Sequence, residues 1–263
     1  MSDFDTYWKS PLVGKKALIT GVANERSIAW SIAQHLHALG CDVAFTFQGE
    51  NLQRRVTPLA ESVNGKFVLQ FDATEETDYD KLRQKIKDDW GTFDILIHSV
   101  AFAQKTELEG RFIETSRLGF LACLDVSCYS LVAMTQKLED VMNPGGSVIT
   151  LSYLGSQRVV QNYNVMGVAK AALEASVRYL AQDLGQKKIR VNAVSAGPVK
   201  TLAAAGIKNF KDMLSKNEDK TLLKENISQD DVGAFSAFLC TPGGSHITGQ
   251  TLYVDSGQSV LQG

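Results

Sequence analysis

No two cysteines of this sequence stand at Cys-x-x-Cys spacing. Cys41, Cys123, Cys128 and Cys240 are scattered through 263 residues, and His35, His37, His98 and His246 add no zinc-ligand spacing. A redox dithiol and a zinc ribbon are therefore excluded, and the thiols read as reduced and structural. Neither sign of charge dominates. The 27 Lys and Arg face 29 Asp and Glu, so the basic footprint of a nucleic-acid binder is missing. Apolar runs are strand-length, short of the ~20 residues that cross a bilayer. The opening MSDFDTYWKSPLVGKK puts acidic and aromatic residues where a secretory leader has a basic start and an apolar core. No Pro/Gly/Ser-rich linker, repeat or low-complexity segment divides the chain. What these absences leave is a cytoplasmic protein, with neither nucleic acid nor membrane as partner. Its 44% apolar and 21% charged residues are those of an ordinary globular fold.

What is present is an alternation of short β-branched runs and longer stretches with apolar residues at helical spacing. Strands are expected at Ala17–Thr20, Val43–Phe47, Phe67–Phe71, Phe93–His98, Ser147–Leu151, Arg190–Ser195 and Thr251–Val254. Between them, helices are expected at about Ser27–Leu39, before Trp90-Gly91, from about Phe112 to Met142, at Tyr163–Leu184 and at Gln229–Leu239. Strands apolar throughout must be covered on both faces, and helical crossovers supply that cover. The expectation is an α/β fold: one domain over residues 1–263, a Rossmann-like, doubly wound sheet of about seven parallel strands. In such sheets ligands bind beyond the carboxyl ends of the strands, where the strand order reverses.

Those strand ends carry the candidate residues. The first runs into Gly21-Val22-Ala23-Asn24-Glu25-Arg26-Ser27-Ile28. A small residue there lets backbone approach a pyrophosphate, and the following helix offers free N–H groups and a positive dipole end. It is a degraded glycine fingerprint, with Ala23 and Ser27 where a stricter motif has glycine. Ser27 reads equally as a plain N-cap. Gln48 ends the second strand, where many NAD-binding sheets have an acid for the ribose hydroxyl. It brings no charge, and no arginine follows at once to pair a 2′-phosphate, which favours NADH over NADPH. Asp72 ends the third strand and suits either an adenine amino group or the N-terminus of the next helix. His98 ends the fourth and reads as a satisfied buried histidine.

The fifth strand runs into Leu151-Ser152-Tyr153-Leu154-Gly155, and a helix then opens with Tyr163-Asn164-Val165-Met166-Gly167-Val168-Ala169-Lys170. Tyr163 and Lys170 share a helix face, ~10 Å apart along the axis. Hydride reduction of a polarised carbon leaves negative charge on an oxygen. A phenol can donate to that oxygen, and a nearby ammonium is expected to lower the phenol's pKa and steady the charge.

With these residues in view, the chain resembles the short-chain dehydrogenase/reductase superfamily. It departs from the common pattern there, since no Tyr-x-x-x-Lys occurs anywhere. The Tyr-x6-Lys spacing, with Tyr153 ten residues before Tyr163, is similar to the bacterial NADH-dependent enoyl-acyl carrier protein reductases. The likeness also takes in Gly21-Val22-Ala23, Ala44-Phe45-Thr46, Asn162-Tyr163-Asn164 and Ala196-Gly197-Pro198-Val199-Lys200-Thr201-Leu202-Ala203, and runs from about Leu12 to Ser259. It implies that Tyr163 bonds a thioester carbonyl, that Lys170 holds the nicotinamide ribose, and that Tyr153 lines the acyl pocket near the thioester. It also implies that Gly21, Ser27, Ile28, Gln48, Asp72, Ala73, Val100, Lys170 and Val199 to Ala203 touch NADH. Ala103, Tyr153, Tyr163 and Met166 would meet substrate. Ala101 stands where many relatives have glycine. Residues 201–220 suit a lid over an acyl chain, and the lysines on and near them suit an acidic acyl carrier protein. Residues 1–11 form an extension outside the pattern, and pairing of the long helices implies a homotetramer. The rival readings are a carbonyl or β-ketoacyl reductase of the same superfamily and a non-catalytic dinucleotide sensor.

Overall fold

Side chains alternate between the two faces of each strand, so a strand buried on both faces feeds two cores. Ala17, Ile19, Val43, Phe45, Ile95 and Ile97 enter one, while Leu18, Ala44, Phe93 and Leu96 enter the other. The computed structural model describes residues 11–202, 214 and 217–261. Its strands are β1 (Lys16–Ile19), β2 (Asp42–Phe47), β3 (Val68–Gln70), β4 (Phe93–His98), β5 (Met142–Ser152), β6 (Arg190–Ala196) and β7 (Thr251–Val254). All pair in parallel, in the order β3-β2-β1-β4-β5-β6-β7. The doubly wound α/β sheet expected from the alternation is the one observed, and the order reverses between β1 and β4.

The helices are α1 (Ile28–Ala38), α2 (Glu50–Ser62), α3 (Glu76–Trp90), the short α4 (Lys105–Leu108), α5 (Arg117–Leu124), α6 (Ser130–Leu138), α7 (Asn164–Leu184) and α8 (Gln229–Cys240). α1, α2 and α8 cover one face, and α3, α6 and α7 the other. α3 is densely charged, yet Tyr79, Leu82, Ile86 and Trp90 form a buried stripe at helical spacing. Each large apolar side chain buried this way contributes ~1.5–3 kcal/mol. At the opposite end from the strand carboxyl termini, buried Asp94 accepts from Lys15 Nζ (2.9 Å), Lys16 N–H (3.0 Å) and Asn143 Nδ2 (3.1 Å). One carboxylate thus ties the starts of β1, β4 and β5.

Three boundaries differ from the sequence reading. Asn143-Pro144-Gly145-Gly146 is a bulge inside β5 rather than a turn before it: Phe93 pairs Met142, and pairing resumes at Ile95 with Ser147. β3 is shorter than Phe67–Phe71, whose two phenylalanines are buried just outside it. The long helix is not one α-helix. α5 and α6 are joined by a π turn at Asp125–Tyr129, and a 3₁₀ turn at Glu139–Val141 ends the stretch. Hydrogen bonds explain the π turn: Ser127 is spent on the backbone of Phe102, and Ser130 Oγ donates to Val126 O (2.7 Å). Arg117–Val141 is also long and apolar enough to cross a membrane, contrary to the expectation of strand-length runs only. Half of it is buried inside the fold.

Candidate active site

The carboxyl ends of the strands open on one cavity of about 550 Å³. It lies across the switch in strand order, as the topology requires. Along one flank the walls are backbone and small side chains. Gly21 has φ +82°, and a Cβ there would stand 1.8 Å from Ser99 O, so only glycine fits this turn. Thr20 Oγ1 donates to Ile97 O (3.0 Å) and accepts from Ser99 N–H (3.2 Å), locking the ends of β1 and β4 together. Ser27 sits at the N-cap of α1, but its hydroxyl does not cap the helix. It accepts from Ala23 N–H (3.0 Å) and Asn24 N–H (3.1 Å) and so closes the turn on itself.

Asp72 does not cap the helix that follows it. Its Oδ1 accepts from Thr74 N–H and Oγ1, and its Oδ2 accepts from Gln48 Nε2 (2.8 Å). The N-cap position of that helix is Glu75, whose side chain makes no cap bond. Burial pushes the Asp72 carboxyl up, but the bonds from Thr74 and Gln48 outweigh it and hold the pKa below the usual value. Because a carboxylate can only accept, Gln48 must offer its NH₂ to Asp72, which leaves its carbonyl oxygen available to a ribose hydroxyl. Past β4, the buried Ser127 accepts from Phe102 N–H (2.9 Å) and donates to Phe102 O (3.0 Å), fixing the Val100–Ala103 wall.

The other flank is built from buried titratable side chains. Tyr163 stands at the N-cap of α7, between Asn162 (φ +60°) and Asn164 (φ +33°). Asparagine is the ordinary non-glycine occupant of that left-handed region. Tyr153 meets Tyr163 edge-on, with ring centroids 5.0 Å apart. Lys170, one stripe along α7, donates to Leu151 O (2.8 Å). The expected lowering of the Tyr163 pKa by an ammonium is not found. Burial, followed by the neighbouring Tyr153, Cys123 and Glu174, pushes it far up, so Tyr163 is a neutral hydrogen-bond donor. Burial alone pushes Tyr153 up to about 12. Burial lowers Lys170 to about 8, opposed by Cys123, Cys128 and Glu174.

His98 lies behind this wall, fully buried and lowered to about 3, first by desolvation and then by the Lys170 charge. Ser130 gives its proton to Val126 O, so it must accept from His98 Nε2–H (2.8 Å), and Nδ1 then accepts from Thr150 Oγ1 (3.0 Å). His98 is a satisfied structural histidine.

Of the residues singled out in the sequence, the cavity brings together Gly21, Ser27, Ile28, Gln48, Asp72, Ala73, Val100, Ala103, Tyr153, Tyr163, Met166, Lys170, Val199, Thr201 and Leu202. Lys200 is exposed and is not among the residues lining the cavity, unlike Val199 beside it. Ala203 and most of 201–220 lie outside the described residues, as do residues 1–10. The sequence reading missed Phe47, Phe71, Phe102, Leu108 and Val126 as wall residues. Apart from Leu108 and Val126 they sit at or just past strand ends, where the topology rule would have found them. Among the described residues no cluster of three His, Cys, Asp or Glu is disposed to hold a metal.

A glycine-tight turn at the switch point and a Tyr–Lys helix beyond the next strand define a dinucleotide-dependent oxidoreductase of the short-chain dehydrogenase/reductase type. The cradle fits a dinucleotide, since a Cβ at Gly21 would already close it. Comparison narrows the class. The model of the enoyl-(acyl carrier protein) reductase family matches residues 21–259. The NADH-dependent enoyl-acyl-carrier-protein reductase FabI of Rickettsia typhi is 47% identical over 250 residues, covering 95% of this chain and 96% of that one. Among solved structures, the Bacillus cereus enoyl-acyl carrier protein reductase with NADP+ and indole naphthyridinone aligns with a TM-score of 0.94 at 45% identity, covering 96% of this chain and 99% of that one. The Anaplasma phagocytophilum enzyme in complex with NAD aligns with a TM-score of 0.90 at 43% identity, covering 97% and 96%. The chain belongs to the enoyl-(acyl carrier protein) reductase family.

Proposed function

We propose that this chain reduces the trans-2 double bond of enoyl thioesters borne on acyl carrier protein, with NADH, in the elongation cycle of fatty-acid synthesis. The observation that carries the reading is the pairing of a neutral buried phenol, Tyr163, with a buried Lys170 seven positions on, beside a dinucleotide-shaped cradle. When bound, the reduced dinucleotide would supply a hydride to the β-carbon. Tyr163 donates to the thioester carbonyl and steadies the enolate before the α-carbon is protonated. Lys170 holds the nicotinamide ribose, and Tyr153 lines the acyl pocket. Gly21, Ser27, Ile28, Gln48, Asp72, Ala73, Val100, Val199, Thr201 and Leu202 contact the dinucleotide, while Ala103 and Met166 meet substrate.

In this reading residues 1–263 work as one catalytic domain in the cytoplasm, with 201–220 closing as a lid over the acyl chain. The chain assembles as a homotetramer. The exposed Leu118, Leu121 and Tyr129 on the Arg117–Val141 stretch, and Tyr179 on α7, support pairing of these helices between subunits. Purified protein should consume NADH with a trans-2-enoyl thioester, and less readily NADPH, and should leave a β-ketoacyl thioester unreduced. Absence of turnover with the enoyl substrate would overturn the reading in favour of a dinucleotide sensor. Turnover of the ketoacyl substrate instead would favour the carbonyl reductase.

A further inference from the structure

One buried charged group takes no part in the chemistry described so far. Glu174 lies on α7 one turn beyond Lys170 and is 6% exposed. Its Oε1 accepts from both Ser152 Oγ (2.5 Å) and Ser156 Oγ (2.6 Å). A buried carboxylate is costly unless hydrogen-bonded, and an apolar side chain would fill a helix–sheet seam at lower cost. The two serines bracket Tyr153: Ser152 ends β5, and Ser156 ends the 3₁₀ turn Leu154–Ser156. That turn rests directly on α7, since a Cβ at Gly167 would stand 2.6 Å from Gly155 O and one at Gly155 would stand 2.4 Å from the Tyr163 ring. The turn therefore has one seat, and Glu174 pins both of its ends.

The charge environment gives Glu174 a second reach. Lys170 faces Cys123 of α5, Cys128 of the π turn, His98 of β4 and Glu174. Burial holds Cys123 as a thiol and His98 neutral, and Cys128 is bonded to Ser176 Oγ (3.5 Å). Glu174 is the one carboxylate of that set. Its other titratable neighbours are Tyr163 and Tyr253 of β7, the latter also facing Asp255 and Arg158. Arg178 is turned to the Glu174 backbone carbonyl (3.1 Å).

We propose that Glu174 is a positioning residue of the reaction: through Ser152 and Ser156 it seats the Tyr153 turn against Tyr163, and through its charge it keeps Lys170 an ammonium. The inference rests on the reading of Tyr163 and Lys170 given under the proposed function.

Lys170 is ammonium below its pKa of about 8, so activity is full at lower pH and falls as pH rises through that value. Removing the Glu174 charge removes a term that favours the ammonium, so the fall moves to lower pH. In Glu174→Gln the alkaline limb of kcat/KM for an enoyl thioester should move to lower pH. NADH affinity, read by fluorescence transfer from protein to NADH without turnover, should weaken along the same displaced limb. The Ser152→Ala/Ser156→Ala pair removes the seat and both donors to Glu174, so KM for the enoyl thioester should rise. Limbs that coincide for Glu174→Gln and parent in both readouts, or an unchanged KM in the serine pair, overturn the proposal. If Glu174→Gln does not fold, Glu174→Asp carries the test: it keeps the charge and shortens the reach, so KM rises with the limb unmoved, and any other pattern overturns it. A parent protein that binds NADH but reduces no enoyl thioester defeats the proposed function, while the NADH titration still reads out Glu174.

Discussion

The two flanks of the cavity are made of different materials. The nucleotide flank, from the β1 turn to the end of β4, is backbone, small side chains and one glycine without room for a methyl. The chemical flank, from the end of β5 along α7, is the half-buried Tyr153 with the buried Tyr163, Lys170 and Glu174. The first selects its ligand by shape. The second works by holding protons at chosen atoms: burial sets first where they sit, and at Lys170 the Glu174 charge acts against it. Substitutions should therefore fail in different ways on the two sides.

The largest effect belongs to the chemical flank. Tyr163→Phe should lower kcat by ~10²–10⁴-fold while NADH affinity stays that of the parent. Equal losses in both would mean that Tyr163 is part of the cradle, and the contrast between flanks would collapse. On the nucleotide flank, Gly21→Ala drives a methyl into Ser99 O from a left-handed backbone, and should cost about 3 kcal/mol of dinucleotide affinity. Parent-like NADH binding by that variant would show that the turn has room. Between the flanks lies His98, lowered from 6.5 to about 3 and neutral in the fold. The unfolded chain takes up a proton below about pH 6.5, so stability is full above that value and falls as pH drops toward 3. The loss is about 2 kcal/mol by pH 5, read by urea unfolding at pH 8 and pH 5. His98→Asn should remove that portion of the pH dependence, and an unaltered dependence would place its source elsewhere. The smallest effect is Ser127→Ala, which frees the N–H and C=O of Phe102. It should cost ~1 kcal/mol and raise KM for NADH while leaving the alkaline limb in place.

The nucleotide flank was the more legible of the two in the sequence. Strand ends follow from β-branched runs, and the switch-point rule then names Gly21, Gln48, Asp72 and Val100 without coordinates. The Tyr163–Lys170 interval was equally plain, because spacing along one helix needs no tertiary information. Glu174 was invisible for the opposite reason: a glutamate on an amphipathic helix reads as solvated until Ser152 and Ser156, distant in sequence, close over it. The direction of the Tyr163 pKa failed likewise, since pairing with Lys170 can be guessed from spacing but burial cannot.

The π turn at Asp125–Tyr129 is a surplus of length: one residue more than an α-helix of the same rise would hold. Strike out that residue, and the stretch relaxes to an α-helix of the same rise, which keeps the flanking helices in place but closes the wide turn. Ser127 lies within that wide turn on the backbone of Phe102, and Ser130 follows it against His98 on the same wall. The segment Arg117–Val141 is thus a vernier between two scales, the pitch of the helix and the spacing of the strands beneath it.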